Sequence, residues 1–274
     1  MQASLKLWSP PTGTLGRLVE EARRRAELLP PRAAELRRAA RALARPASLA
    51  GALRRPHVAV VAEVKRRSPS KGEINAGIDA GTQAAAYVSG GAAALSILTE
   101  PAHFGGRTED LTAARARVAV PLLKKDFHVH HLQLLEARTL GASAALLIAR
   151  ALSPAALVEL AAVARDLELE TLVEVRDEWE LERAVEVGAA VIGVNNRDLE
   201  TLAIDAAVSR RLLPRIPGAT PAVYESGVRT VAEVAEAAAL GADAVLVGSS
   251  LSAAADPEAA VRALATVPRL GRGT

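Results

Sequence analysis

The chain has 274 residues, of which half are apolar, and it carries a formal charge of +3 and no cysteine. These values exclude disulfide scaffolds and thiolate catalysis, and no uninterrupted apolar run is long enough to predict a membrane span. Only 2% of the residues are aromatic, so we expect a core of Ala, Val, Leu and Ile. Met1 begins a segment without a secretory hydrophobic region, and we therefore expect a cytoplasmic protein that does not bind membranes.

Residues 1–56 predict an α-helical extension. Apolar residues follow Thr14 at helical spacing as far as Leu29, Pro30-Pro31 ends this helix, and a second helix continues to Ala44. Eleven arginines lie in this region, alternating with apolar residues and without interleaved aromatics. This pattern is typical of solvated helix faces, so we expect no nucleic-acid partner.

After Pro56, eight apolar runs alternate with helical segments. The runs lie near 58–64, 93–99, 119–125, 143–149, 170–175, 190–195, 220–225 and 243–248, and the helical segments include Thr82–Ser89, Gln133–Leu140, Pro154–Leu167, Glu178–Val187 and Val231–Leu240. Eight such units predict an α/β fold, a (β/α)8 TIM barrel over residues 57–274 with the extension packed on it as one structural domain. The main alternative, a doubly wound open sheet, is expected to carry a GxGxxG turn, which the sequence lacks.

Glycines separate helix from strand in four of these units. Each is followed by alanine-rich sequence that leads into an apolar run: Gly91, Gly141, Gly188 and Gly241. Glycine adopts the left-handed conformation that commonly ends a helix, so these positions predict helix ends.

Polar residues follow six of the apolar runs directly. They are Glu63, Lys65 and Ser68 after the first run, Lys125 after the third, Glu174 after the fifth, Asn195 after the sixth, Glu225 and Ser226 after the seventh, and Gly248-Ser249-Ser250 after the eighth. Burying such groups unpaired costs several kcal/mol. Because the carboxyl ends of barrel strands form the active site, we expect them to converge there.

Strand alternation predicts which of these side chains share a face. Glu63 and Lys65 have the same orientation, as do Asn195 and Arg197. Glu225 is expected to point into the barrel, which directs Tyr224 outward toward the covering helices.

The chain has only five lysines, and four of them follow the first and third runs: Lys65, Lys71, Lys124 and Lys125. Lysine can be tuned to donate a proton, whereas arginine stays charged, so this placement favours acid catalysis. Chance clustering is one alternative. Internal ion pairs, such as Glu63 with Lys65, that merely close the top of the barrel are another.

Gly227 and Gly248-Ser249 follow the last two strands, where such barrels bind phosphate through backbone N–H groups. A metal is not expected, because His128, His130 and His131 have no carboxylate at the spacing of a known ligand set.

The sequence resembles the indole-3-glycerol phosphate synthase family from about Leu15 to the last helix. The residues that carry the resemblance are, in order, Glu63-x-Lys65-x-x-Ser68-Pro-Ser70, Leu98-Thr99-Glu100, Phe104-x-Gly106, Lys125-Asp126-Phe127, Leu172-Val173-Glu174-Val175, Gly193-Val194-Asn195-Asn196-Arg197-Asp198-Leu199, Glu225-Ser226-Gly227 and Val247-Gly248-Ser249-Ser250-Leu251.

The resemblance implies a carboxy-lyase of tryptophan biosynthesis. Such an enzyme closes the indole ring of 1-(2-carboxyphenylamino)-1-deoxyribulose 5-phosphate and releases CO₂ and water. It implies catalytic roles for Glu63, Lys65, Lys125 and Glu174, substrate binding by Ser68, Phe104, Phe127, Asn195, Arg197, Glu225 and Ser226, and phosphate binding by Lys65, Gly227, Gly248 and Ser249. It also implies a small anionic phosphosugar as the substrate and no cofactor or metal, and we expect a monomer.

Two other functions remain open at this point. One is a sugar-phosphate isomerase on a phosphate-binding barrel, which is expected to place Asp or Cys pairs at the strand ends, where this chain has Glu. The other is a barrel subunit that binds a phosphosugar or a partner without catalysis. Such a subunit does not need lysines after strands 1 and 3.

Overall fold

Residues 7–272 are described by a computed structural model. Eight parallel strands close into a barrel in which each strand pairs with its neighbours in the sequence and the last pairs with the first. The strands are β1 (Ala59–Val64), β2 (Ala94–Leu98), β3 (Leu122–Lys125), β4 (Ala144–Ile148), β5 (Glu170–Val175), β6 (Val191–Asn195), β7 (Ala222–Glu225) and β8 (Ala244–Val247). This closed barrel confirms the predicted fold.

The helices precede, connect and cover the strands. They are α1 (Gly13–Ala26), α2 (Ala33–Ala42), α3 (Leu49–Ala52), α4 (Ala80–Ser89), α5 (Pro101–Phe104), α6 (Thr108–Arg115), α7 (His131–Thr139), α8 (Pro154–Asp166), α9 (Glu178–Glu186), α10 (Ala207–Leu212), α11 (Val231–Ala239), α12 (Ser249–Ser252) and α13 (Pro257–Leu264). Within residues 7–272, none of them combines the length and the apolar character that crossing a bilayer requires.

Local sequence signals explain where the helices begin and end. Asp79, Ser153 and Thr230 each accept a backbone N–H in the first turn of the helix that follows, which satisfies a donor without an intrahelical partner. The four glycines predicted at helix ends have positive φ angles: Gly91 (100°), Gly141 (91°), Gly188 (68°) and Gly241 (87°). The prediction from the repeated glycines is therefore confirmed.

The apolar core forms two layers that follow strand alternation. An outer layer between strands and helices includes Val60, Ala62 and Tyr224, and an inner layer inside the barrel includes Val61 and Val223. Tyr224 therefore packs in the outer layer, where it also borders the cavity, and its neighbour Glu225 faces the interior, as the alternation predicted.

The N-terminal extension contacts both ends of the barrel. At the amino-terminal end of the strands, Glu170 accepts hydrogen bonds from Ser48 Oγ (2.6 Å) and Ala50 N (2.8 Å), which fixes α3 there. At the carboxyl end, Arg25 of α1 forms ion pairs with Glu100 and Asp126. The extension thus holds a helix over the end of the barrel where the polar residues converge.

The structure adds elements that the periodicity did not predict. A two-residue antiparallel ladder pairs Arg67–Ser68 with Gly72–Glu73 in the loop after β1. Helices α3, α5 and α12 are single turns of four residues, too short for an amphipathic repeat to reveal.

Candidate active site

A cavity of about 470 Å³ opens at the carboxyl end of the barrel strands. It is lined by every residue predicted for the site: Glu63, Lys65, Ser68, Phe104, Lys125, Phe127, Glu174, Asn195, Arg197, Glu225, Ser226, Gly227, Gly248 and Ser249. Residues distant in sequence meet here because parallel strands deliver their carboxyl ends to one face of the barrel.

Lys125 lies between two buried carboxylates. Its Nζ is 2.8 Å from Glu174 Oε2 and 3.2 Å from Glu225 Oε2. Burial alone lowers the pKa of Lys125, but the nearby charges of Glu174, Glu225 and Glu63 outweigh it and raise the pKa well above the usual value. The side chain is therefore an ammonium over the whole physiological pH range.

At Glu225, unlike at Lys125, the effect of burial on the pKa exceeds the effect of the opposite charge nearby. Burial raises its pKa to about 8, and the negative charges of Glu174 and Glu63 act in the same direction, while Lys125 lowers the value only in part. Its second oxygen, Oε1, is buried and has no hydrogen-bond partner within residues 7–272. Burial thus favours the protonated form of Glu225, in which the carboxyl group can donate a hydrogen bond, while Lys125 favours the ionised form.

A second lysine–carboxylate pair lies at the end of β1. Lys65 Nζ is 2.7 Å from Glu63 Oε1, and Ser96 Oγ donates to Glu63 Oε2 at 3.2 Å. Burial raises the pKa of Glu63. The charges of Lys65 and Lys125 and these hydrogen bonds lower it by more, so the pKa lies below its ordinary value. Glu63 is thus a carboxylate that forms an ion pair with Lys65.

The backbone of Gly248 makes room for this pair. A β carbon at position 248 would lie 2.4 Å from Glu63 Oε1 and 3.0 Å from Lys65 Nζ. Glycine at this position therefore allows the loop after β8 to lie next to the Lys65 ammonium group.

Asn195 connects the strand ends on the opposite side of the cavity. Its Nδ2 donates to Glu174 Oε1 (2.8 Å), while its Oδ1 accepts from Ser226 Oγ and from Arg197 N, both at 2.9 Å. Because Glu174 is held by both Asn195 and Lys125, its carboxylate has a fixed orientation. Ser226 has a positive φ of 66°, and Gly227 after it has one of 105°.

One part of the cavity wall is apolar. The rings of Phe104 and Phe127 have centroids 6.4 Å apart and planes tilted by 40°. Leu18, Ile148 and Leu199 also line the cavity. An aromatic ring of a ligand would find an apolar surface on this side and charged groups on the other.

Known proteins with similar sequences identify the family of this chain. The family model described as indole-3-glycerol phosphate synthase matches residues 15–264. The chain belongs to this family. Among its relatives, the indole-3-glycerol phosphate synthase of Mycolicibacterium smegmatis is 45% identical over 232 residues, or 85% of each chain. That of Mycobacteroides abscessus is 46% identical over 233 residues, which cover 85% of this chain and 86% of the relative.

Similar solved structures share the fold. A 3-hexulose-6-phosphate synthase from Salmonella typhimurium superposes with a TM-score of 0.61 and 15% identity, covering 76% of this chain and 97% of that one. A thiamine phosphate pyrophosphorylase from Pyrococcus furiosus gives a TM-score of 0.56, also with 15% identity, and covers 76% and 93%. At this identity the likeness concerns the barrel alone, so the family assignment depends on the sequence match.

Some residues of the site wall were not among the predicted site residues, although one of them, Leu199, lies within a family motif. Leu18 comes from α1, Leu146 and Ile148 from β4, and Leu199 from the loop after β6. Apolar residues of this kind occur throughout the chain, and only the packing of α1 on the barrel shows that Leu18 faces a cavity rather than the core.

Arg25 was also not predicted for the site, although it fixes the helix that covers it. Its Nη2 is 2.5 Å from Asp126 Oδ1 and its Nη1 is 3.3 Å from Glu100 Oε1. Asp126 also accepts from Thr99 Oγ1 at 2.7 Å. Because Asp126 follows Lys125 directly, this network connects α1 to the strand end that carries the central ammonium.

Two of the three histidines after β3, His128 and His130, have separate structural roles. His128 Nδ1 contacts the carbonyl oxygen of Leu146 at 2.8 Å, and burial lowers the pKa of His128 to about 3. His130 accepts the N–H of Leu132 at the start of α7. In the described part of the chain, a cluster of three potential metal ligands occurs elsewhere, at Glu21, Glu100 and His103. There Glu100 is already bound by Arg25 and by three backbone N–H groups.

Proposed function

We propose that this protein catalyses the reaction for which its family is named. The nitrogen-bound ring of 1-(2-carboxyphenylamino)-1-deoxyribulose 5-phosphate closes onto the ketone carbon, and CO₂ and water leave to give indole-3-glycerol phosphate. The single observation that carries the proposal is the position of Lys125, an ammonium beside two buried carboxyl groups in the mouth of a barrel of this family.

Lys125 acts on the ketone oxygen in the ring-closing step. As the ring carbon attacks the ketone carbon, the oxygen gains negative charge and the ammonium stabilises it and supplies a proton. Glu174 raises the pKa of Lys125 and so keeps the lysine protonated. When the substrate replaces one of the carboxylate contacts of Lys125, the pKa falls and the lysine becomes a stronger acid.

Glu174 and the Glu63–Lys65 pair serve the later steps. Ring closure leaves a positive charge on the iminium nitrogen, which the oriented carboxylate of Glu174 stabilises until the carboxyl group departs as CO₂. Loss of the new hydroxyl as water requires an acid and a base. Lys65 supplies the proton and Glu63 accepts one, and the 2.7 Å contact between them supports this pairing.

The ends of the substrate bind on different sides of the cavity. The phosphate binds to the backbone of Gly227, Gly248 and Ser249 with Lys65 as its counter-charge, which the close approach of Gly248 to Lys65 supports. The substrate carboxylate binds at Ser68 and Arg197, and the ring lies against Phe104 and Phe127. Asn195, Glu225 and Ser226 position the sugar chain.

The proposed substrate class, cofactor requirement, oligomeric state and location of the protein belong to the same proposal. The substrate is a small anionic phosphosugar, the reaction needs no cofactor or metal, and the protein acts as a cytoplasmic monomer that binds neither nucleic acid nor membranes. A sedimentation experiment on the purified chain tests the monomer, and a stable dimer would contradict it.

A fluorescence assay on the purified chain tests the function. With the carboxyphenylamino substrate, we expect the indole fluorescence of the product to appear together with one CO₂ per molecule. Consumption of the substrate without CO₂ release would favour a sugar-phosphate isomerase. Saturable binding without any conversion would favour the noncatalytic subunit.

A further inference from the structure

A buried hydroxyl group joins the end of β1 to helix α12. Ser252 is the last residue of α12, the single turn that follows Gly248, and it is 1% exposed. Its Oγ donates to the carbonyl oxygen of Glu63 at 3.0 Å and accepts the backbone N–H of Lys65 at 3.2 Å. One side chain therefore holds the backbone of both residues that form the lysine–carboxylate pair of β1.

The barrel sheet does not supply these two hydrogen bonds. The backbone N–H of Ala59 donates to the residue before β8, and Glu63 and Lys65 follow at even spacing, so their backbone groups face the same way. The ladder between β1 and β8 ends at the pair of Ala62 with Val247. Beyond this pair, the hydroxyl group of Ser252 takes the place of the neighbouring strand.

The two backbone groups differ in what else they contact. The hydroxyl group of Tyr87, a buried residue of α4, lies 3.4 Å from the carbonyl oxygen of Glu63 and 3.3 Å from Ser252 Oγ. The N–H of Lys65 has Ser252 Oγ as its only hydrogen-bond partner within residues 7–272. Because a backbone N–H without a partner is unfavourable away from water, loss of the Ser252 hydroxyl group should displace the backbone at Lys65.

Other contacts fix Ser252 itself. Asn75 Nδ2, from the loop after β1, donates to the carbonyl oxygen of Ser252 at 3.3 Å. In the same turn, Ser250 Oγ donates to the carbonyl oxygen of Val228, in the loop after β7, at 3.4 Å. Helix α12 is therefore held from two sides, which gives the Ser252 hydroxyl group a defined position.

We propose that Ser252 is a positioning residue, which sets the backbone at Glu63 and Lys65 so that their side chains remove the new hydroxyl group as water. This role rests on the proposed function, in which the pair serves the loss of water, while Lys125 and Glu174 serve ring closure and the loss of CO₂. Ser252 does not line the cavity. Its loss should therefore slow the loss of water and leave the loss of CO₂ nearly unchanged.

The test compares Ser252→Ala with Ser143→Ala. Ser143 is also fully buried and lies away from the cavity, and its Oγ has no hydrogen-bond partner within residues 7–272. In a single turnover with saturating enzyme, we expect Ser252→Ala to release CO₂ within about two-fold of the original rate. Its indole fluorescence should appear about 10-fold more slowly, because small displacements of catalytic groups are costly. The control should match the unaltered protein in both signals.

Amide exchange provides a measurement that needs no substrate. In Ser252→Ala, the N–H of Lys65 should exchange hydrogen roughly 3- to 10-fold faster, the effect of losing one hydrogen bond of ordinary strength. Tyr87→Phe is a second variant, which removes a neighbouring hydroxyl group but keeps the partner of the Lys65 N–H. In Tyr87→Phe we expect no delay between CO₂ release and indole fluorescence.

Three results would overturn the proposal. They are indole formation in step with CO₂ release in Ser252→Ala, an unchanged exchange rate at Lys65 in that variant, and an equal delay in Tyr87→Phe. An unaltered protein that releases no CO₂ would instead contradict the proposed function, and the exchange at Lys65 would still test the contact with Ser252.

Discussion

Gly193 lies against the carboxyl group of Glu225 inside the barrel. A β carbon at position 193 would be 2.0 Å from Glu225 Oε1 and 2.9 Å from Leu172 Cδ2. Glycine on β6 therefore provides the space in which Glu225 reaches Lys125, and the side chains of Glu225 and Leu172 leave no room for a larger residue at position 193.

Gly193→Ala should displace Glu225 from Lys125. We expect kcat/KM to fall at least about 10-fold, since small displacements of catalytic groups are costly, and the free energy of unfolding to drop by about 1–3 kcal/mol from overpacking. Gly218→Ala is the matched control, because a β carbon there meets no atom within 4 Å. Equal kinetics in the two variants would show that the site tolerates a displaced Glu225.

Glu225 should also make stability depend on pH. Its pKa is about 8 in the folded protein and near 4.5 when unfolded, so between these values the folded state binds more protons. Stability therefore falls as pH rises from about 4.5 to 8. Glu225→Gln cannot titrate and should lose this part of the slope, as measured by urea unfolding at several pH values. Parallel pH profiles for both proteins would place the Glu225 pKa near its ordinary value.

Tyr224 should matter for stability and not for catalysis. It is 6% exposed and belongs to the apolar layer between strands and helices. Tyr224→Ala should lower the free energy of unfolding by about 3–5 kcal/mol, with little change in kcat. Tyr224→Phe keeps the ring and should retain most of the stability. A normal melting temperature with a large loss of kcat in Tyr224→Ala would contradict this assignment.

The sequence predicted the barrel because its signals are local and repeated. Six of the eight apolar runs end in polar residues, and glycines with positive φ end the helices before four of them, so the eight units could be counted without any tertiary information. The charged residues of the cavity could be predicted from the ends of the apolar runs, because the fold brings the carboxyl ends of all the strands to one face of the barrel.

Other parts of the site depend on contacts between distant segments. Arg25 is one of eleven arginines in the extension, and nothing in its local sequence distinguishes it as the one that reaches Asp126. The pKa of Lys125 also depends on contacts between distant segments. A lysine in an acid role suggests a pKa lowered toward neutral pH. The structure surrounds Lys125 with three carboxylates whose combined charge acts in the opposite direction.

The adjacent lysines Lys125 and Lys124 provide the most direct test of the proposed chemistry. Lys125 points into the cavity between Glu174 and Glu225, whereas Lys124 points away from it and pairs with Glu136 at 3.1 Å. The test is a measurement of kcat for ring closure in Lys125→Met and Lys124→Met, both at a temperature where each variant is folded. We expect Lys125→Met to lose about 10²–10⁴-fold in kcat, the usual contribution of a general acid, and Lys124→Met to stay within a few-fold of the unaltered protein. Full turnover in Lys125→Met would contradict the assignment of this ammonium as the acid that closes the ring.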